Sequence, residues 1–149
     1  MTQFCGMHRM PEGPSAPVRC AADALSAVHL AMSTPARPET IVLVLDADRR
    51  GHTIVVVDGT ADDDAMLEVV DRLAMMLASH REGGALVVAT IRPGRGCDHL
   101  DADRWLEASA IGDQLGIELV EWFVIVAGTT DVTAWCPRDL LAEPPRWTP

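Results

Sequence analysis

Apolar positions along the chain follow two patterns, and each pattern predicts a different element. In three segments they recur three and four residues apart, which is typical of amphipathic helices. Elsewhere they form continuous runs rich in Val, Ile and Leu, which are typical of strands buried on both faces of a sheet. The pattern predicts helices at 20–32, 66–77 and about 101–115, and strands at 40–46, 52–58, 85–90, 118–127 and, more weakly, 133–135.

The connection between the first two predicted strands decides their direction. Only the short polar turn from Ala47 to Gly51 joins them. A connection of this length cannot cross over a sheet, so the two strands should form an antiparallel hairpin. The element order is then α-β-β-α-β-α-β-(β). We therefore predict an α/β fold: a mixed sheet with an N-terminal β-hairpin and helices on its faces.

The chain has 149 residues, which is enough for one domain with a sizeable core. Residues 1–17 are rich in Pro and Gly and lack a periodic pattern, so we predict a flexible N-terminal tail. The domain itself should cover 18–141. Residues 142–149, which contain Glu143-Pro-Pro-Arg-Trp147, should form an extended C-terminal tail.

The formal net charge of −10 argues against nucleic-acid binding, which requires clustered cations. No apolar run approaches the roughly 18 residues that a membrane span needs, so we expect no membrane association. The start of the chain lacks a signal-peptide pattern, and we expect a cytoplasmic protein. All 12 basic residues are Arg, and Lys, Asn and Tyr are absent, which indicates a high-GC bacterial genome. Without Lys, Schiff-base and Walker P-loop chemistry are excluded.

The element order, taken with four local motifs, resembles the RadC-like branch of the JAB/MPN metal-dependent hydrolase fold. The resemblance runs from about Glu39 to Leu141. It rests on the Val-Val-Asp-Gly-Thr of 56–60, the strand 86–90, the stretch 116–125 and the Arg-Asp-Leu-Leu of 138–141. It implies the same fold for this chain.

The same resemblance argues against the family's activity. Its zinc loop reads His-x-His-Pro-Ser-Gly, with an Asp about eleven residues after the second His. Here Thr90 and Arg92 take the two His positions, and Asp103 falls at the Asp position. The catalytic Glu would lie around Ile54, where no Glu stands. Catalytic zinc needs about three protein ligands, so we expect neither a zinc hydrolase nor another cofactor.

The Arg/Gly loop that follows the strand at 85–90 is the leading candidate site. Arginine side chains and exposed amides just before a helix start can bind an anion. The candidate ligand-binding residues are Thr90, Arg92, Arg95 and Asp103. The alternative is a structural ion pair between Arg92 and either Asp101 or Asp103, which would fill the vacated metal cavity.

Three other groups carry weaker chemical hypotheses. Cys97, His99 and Asp103 have ligand-capable side chains, but their spacing matches no standard zinc motif, and isolated surface residues are the alternative. Cys97 with His99 or His80 as its base is a candidate nucleophile, although nothing orients that base. The acidic run 62–64 is interpreted as a solvated helix cap.

These observations predict a non-catalytic RadC/JAB-like domain that serves as a protein-interaction or small-anion-binding module. Its partner would be a protein or a small anionic ligand. One alternative is a hydrolase, metal-dependent or metal-independent, with atypical site residues. The other is a structural protein that forms a homodimer through a sheet edge or through the Met-rich helix at 66–77.

Overall fold

The computed structural model describes the backbone of residues 3–9 and, in full, residues 17–79, 84–128 and 131–147. It shows an α/β fold with a mixed sheet whose strand order is β1-β3-β2-β4-β5-β6. The strands are β1 (Gln3–Arg9), β2 (Glu39–Leu45), β3 (Gly51–Asp58), β4 (Ala85–Pro93), β5 (Glu118–Ala127) and β6 (Val132–Trp135). The helices are α1 (Ala21–Ala31), α2 (Ala65–Ser79), α3 (Leu100–Gln114) and a 3₁₀ turn at Pro137–Leu141. Within the described ranges, no helix combines the length and apolar character needed to cross a membrane.

Both sheet faces are covered, which explains the continuous apolar runs. On one side, the α1 face, Val28 packs with Leu43 and Phe123. On the other side, the α2/α3 face, helix residues pack with Val88 and Trp122. Strands β2, β4 and β5 lie in the middle of the sheet and bury nearly every side chain. The prediction of strands buried on both faces is confirmed for β2, β4 and β5, whereas β3 leaves His52 exposed and Val56 only partly buried.

The strand directions also agree with the sequence prediction. β2 and β3 pair antiparallel, as the short turn between them requires. β4 and β5 are parallel and are joined by α3, the long connection that a parallel pair needs. All other neighbouring strands are antiparallel.

The N-terminal segment differs from the prediction. Residues 1–17 were expected to form a loose tail, yet Gln3–Arg9 pairs antiparallel with β3 at the edge of the sheet. An edge strand is held by backbone hydrogen bonds, so it does not need the apolar run that marks a buried strand. Residues 1–2 and 10–16 of that predicted tail lie outside the described residues.

The C-terminal segment is extended, and it packs on the body. β6 pairs only with residues 124–127, so it leaves the first half of β5 open at that edge. Arg146 Nη1 donates to the Leu119 carbonyl of β5 at 3.0 Å. Trp147 stacks on Phe123 with 6.4 Å between ring centroids. The tail thus covers a strand edge that would otherwise stay unpaired.

Two loops lie next to each other at one end of the sheet. In β2, Glu39 pairs with Asp58 at the end of β3 and with Ile91 near the end of β4. The loop from β3 to α2 and the loop from β4 to α3 therefore lie side by side. Residues 59–64 and 94–99 occupy these loops.

Candidate functional site

A tight turn at the end of β4 positions two arginines together. Pro93 and Gly94 are its central residues, and Gly94 has φ of 76°. The Arg95 amide donates to the Arg92 carbonyl at 3.3 Å, which closes the turn. Pro followed by a positive-φ Gly is the sequence signature of a type II turn. It reverses the chain, so that Arg95 lies beside Arg92 at the end of the sheet.

Arg92 forms a buried, two-pronged ion pair with Asp101 of α3. The Nη1–Oδ2 and Nη2–Oδ1 distances are 2.7 and 2.8 Å. The side chains of Arg92 and Asp101 are 4% and 0% exposed. The guanidinium carbon lies 5.9 Å from the centroid of Trp122, which adds a cation–π contact. Of the two partners that the sequence allowed for Arg92, the structure selects Asp101.

Further donors converge on Asp101. Arg104 Nη1 donates to Oδ1 at 2.9 Å, and the Asp98 amide donates to Oδ2 at 2.9 Å. Burial alone would raise the pKa of Asp101. The hydrogen bonds from Arg92, Asp98 and Arg104 outweigh it and lower that pKa to about 2. Asp101 is therefore a carboxylate at neutral pH.

The acidic run before α2 is only partly a helix cap. Asp62 Oδ1 accepts the Asp64 amide at 2.9 Å, a local capping contact. Asp63, however, receives both terminal nitrogens of Arg95, and this hydrogen bonding lowers the pKa of Asp63. Arg104 Nε donates to Asp64 Oδ1 at 2.9 Å. The interpretation of 62–64 as a solvated cap is therefore wrong for Asp63, whereas the Asp64 side chain is 69% exposed and remains solvated while it pairs with Arg104.

These contacts form one network, which we call the Arg92 cluster. It consists of Arg92, Arg95, Arg104, Asp63, Asp64, Asp98 and Asp101. Three guanidinium groups face four carboxylates, so its formal charge is −1 (3 − 4). An external anion would therefore have to compete with a carboxylate already present.

A cavity of about 190 Å³ lies beside the cluster and is lined in part by Thr60, Arg92 and Arg95. Arg92 Nε is buried and has no hydrogen-bond partner. The carboxylate oxygen Oδ1 of Asp63 lies 3.6 Å from it, beyond the length of a good hydrogen bond. This is the one exception in a cluster whose other buried donors are satisfied, among the residues that the structure describes.

The four predicted ligand-binding residues separate into two groups. Arg92 and Arg95 line the cavity. Thr90 is buried, and its hydroxyl accepts the indole N–H of Trp122 at 2.9 Å, so it serves the core. Asp103 is exposed on α3 and forms no hydrogen bond or ion pair within the described part of the chain.

The metal candidates are not brought together in the part of the chain that the structure describes. Cys97 is half-buried, and burial, followed by the Asp101 charge, raises its pKa to about 12. His99 is exposed just before α3, and His80 lies outside the described residues. Over the described ranges, no three His, Cys, Asp or Glu side chains are placed to hold a metal ion. Ile54 packs in the core of the α1 face, opposite the face that carries Thr90 and Arg92.

A second buried ion pair lies at the edge of β5 and was not anticipated. Arg138 Nε donates to Glu121 Oε2 at 3.1 Å, and Arg138 Nη1 also donates to the Glu143 carbonyl. Burial raises the pKa of Glu121, and the Arg138 charge opposes that shift only in part. In the sequence, a single Glu, Glu121, stands within the apolar run 119–125, and it could have indicated a buried ion pair.

No protein-family model matches the sequence, and a search of curated proteins returned no significant match.

Proposed function

We propose that this chain is a non-catalytic, cytoplasmic RadC/JAB-like module that binds a small carboxylate or phosphate at the Arg92 cluster. The element order and the Pro-containing turn after β4 support the RadC/JAB resemblance. The positions that would carry zinc ligands are occupied by the Thr90–Trp122 hydrogen bond and the Arg92–Asp101 pair. A guanidinium in that place repels a dication, which supports a role without metal catalysis.

The observation that carries the proposal is the unpartnered Nε of Arg92. A buried N–H without an acceptor is costly, and such groups normally have a partner. An anion oxygen in the adjacent cavity would supply that acceptor after a small shift of the Arg92 side chain. Arg95 lines the same cavity and would donate to the remaining oxygens. Thr60 also lines the cavity, but its hydroxyl already accepts a buried hydrogen bond from Thr40 at 3.0 Å.

Asp63 limits the affinity for an anion, because its carboxylate already accepts the hydrogen bonds of Arg95. The Arg95 side chain is 52% exposed, so its pair with Asp63 is a surface ion pair of low strength. An anion can therefore displace Asp63 at modest cost, whereas the buried Arg92–Asp101 pair stays intact. We expect binding of free inorganic phosphate in the millimolar range, about 4 kcal/mol in binding free energy.

Titration of inorganic phosphate and of acetate, followed by backbone amide chemical shifts, tests this proposal. Asp63→Asn removes the competing charge and should tighten phosphate binding about ten-fold, which corresponds to 1.4 kcal/mol. Arg95→Gln should weaken it by a similar factor.

Arg72→Gln is the matched control, because Arg72 is 62% exposed and pairs with Glu68 within α2. It should bind like the wild type, and the shifted amides should lie in 59–64 and 91–96. Equal affinities for Asp63→Asn, Arg95→Gln and Arg72→Gln would refute an anion site at this cluster.

A further inference from the structure

The cavity beside the Arg92 cluster offers an anion few side-chain donors. Arg92 uses Nη1 and Nη2 for Asp101, and its Nε is the nitrogen without a partner. The Thr60 hydroxyl is held in a buried hydrogen bond with Thr40. Among the described lining residues, Arg92 Nε and the Arg95 guanidinium are thus the side-chain donors left. Two donor groups suit the two oxygens of a carboxylate better than the four of phosphate.

The rest of the described cavity wall is apolar. It consists of Pro38, Ala61, Ile91 and Pro93. None of these side chains can donate a hydrogen bond, and the two prolines lack a backbone N–H as well. An apolar wall beside two donor groups favours a ligand that joins a charged head to a short apolar tail.

The volume of the cavity limits the length of that tail. The cavity measures about 190 Å³. This is the space of about six water molecules, at roughly 30 Å³ each. A short-chain carboxylate such as butyrate fills about this space, whereas a sugar phosphate or a nucleotide exceeds it.

The charge of the Arg92 cluster also favours a carboxylate. Its three guanidinium groups face four carboxylates, which gives a formal charge of −1 (3 − 4). A phosphate group carries more than one negative charge at neutral pH, whereas a carboxylate carries one. Asp63 and Asp64 therefore repel a phosphate more strongly than a carboxylate.

We propose that this cavity binds a short-chain monocarboxylate in preference to phosphate. The inference rests on the proposed function, which leaves the kind of anion open. The carboxylate head lies between Arg92 Nε and Arg95, and the tail lies against Pro38, Ala61 and Pro93. Ala61 is the specificity-determining residue, because a larger side chain at this position of the wall would fill the space of the tail.

Titration of the wild-type chain with acetate, propionate, butyrate, butyramide and inorganic phosphate at constant ionic strength, followed by backbone amide chemical shifts, tests the proposal. Each added methylene should tighten binding about three-fold, somewhat less than the roughly four-fold expected for full burial of a methylene. Butyrate should therefore bind about ten-fold more tightly than acetate, and also about ten-fold more tightly than phosphate. Butyramide has the same tail without the charge and should bind far more weakly than butyrate.

Ala61→Leu should lower the affinity for butyrate to that for acetate and leave the acetate affinity unchanged. Ala47→Leu is the matched control: Ala47 is also an exposed loop alanine, but it follows β2 at the opposite end of the sheet. It should keep the full increase from acetate to butyrate. Because both alanines are exposed, thermal unfolding should show that both variants fold.

Equal affinities for acetate, propionate and butyrate would overturn the selectivity and leave the anion site standing. So would phosphate that binds more tightly than butyrate, or an Ala61→Leu chain that still prefers butyrate ten-fold over acetate. Butyramide that binds as tightly as butyrate would show an apolar cavity without anion recognition, and would refute the proposed function as well. Absence of binding by every anion tested would also refute both.

Discussion

Two ion pairs are buried among the residues that the structure describes, and they differ in how fully their carboxylates are hydrogen-bonded. Asp101 accepts two hydrogen bonds from Arg92, one from Arg104 and one from the Asp98 amide. Glu121 accepts one from Arg138 Nε and a longer one, at 3.3 Å, from the amide of its neighbour Trp122. Both residues have 0% exposure.

The two pKa shifts run in opposite directions for this reason. Burial raises the pKa of both carboxyl groups. At Asp101 the donors outweigh burial and the pKa falls to about 2, whereas at Glu121 burial dominates and the pKa stays raised. Burying an ion pair is therefore stabilising or costly according to how many donors replace the lost water.

Neutralising Asp101 should give the largest effect. Asp101→Asn keeps the shape of the side chain but leaves Arg92 buried beside an amide, and the free energy of unfolding should fall by about 3–5 kcal/mol. Asp103→Asn on the same helix is the control: Asp103 is exposed, so the change should be within about 0.5 kcal/mol. Urea denaturation measures both. If Asp101→Asn and Asp103→Asn lose the same free energy of unfolding, Asp101 contributes no more to stability than an ordinary surface carboxylate.

The second-largest effect should be a pH dependence of stability that differs between the Arg92–Asp101 pair and the Arg138–Glu121 pair. An unfolded Asp has a pKa of about 3.9, and that of folded Asp101 is lower, so the unfolded state binds more protons between these values. The stabilisation from Asp101 is thus present above about pH 4 and is lost as pH falls toward 2, by about 2 kcal/mol. Denaturant curves at pH 2–6 should show this loss, and Asp101→Asn should flatten it. If the stability of Asp101→Asn falls with pH as steeply as that of the wild type, Asp101 is not the group whose protonation causes the loss.

The fold was largely predictable because its signals are local. Continuous apolar runs, helical spacing and one short turn gave every element from 20 to 135 within a few residues of its bounds. β1 carries no such signal, because an edge strand is held by backbone hydrogen bonds to β3, whose partner residues are about 50 positions away.

The site was predictable only where its partners are close in sequence. Arg92 and Asp101 lie nine residues apart, and the sequence offered their pairing as one of two alternatives. Arg95 and Asp63 lie 32 residues apart, in loops that meet only because β3 and β4 flank β2. No spacing rule connects them, so Asp63 was assigned to a helix cap.

Glu121→Gln should change the free energy of unfolding at pH 7 by no more than about 1 kcal/mol, because the neutral amide still accepts the Arg138 hydrogen bond and removes a carboxylate whose charge burial disfavours. The raised pKa of Glu121 means that its contribution is present below an unfolded value of about 4.3 and is lost as pH rises through the folded value. The stability gap between wild type and variant should therefore widen as pH falls to 4. For Asp101→Asn the gap should narrow as pH falls. Two gaps that change in the same direction would contradict the contrast between the pairs.

Arg95→Gln should have the smallest effect. Its pair with Asp63 is half-exposed, so the free energy of unfolding should change by no more than about 0.5 kcal/mol, and less at high salt. Arg72→Gln removes a similarly exposed i,i+4 pair, so its change in the free energy of unfolding is the reference value for Arg95→Gln. Urea denaturation at low and high salt measures both. A loss approaching that of Asp101→Asn would show that Asp63 is an integral member of the buried network. An anion could then not replace the Asp63 carboxylate as the acceptor of Arg95, and the role of the Arg92 cluster would be structural.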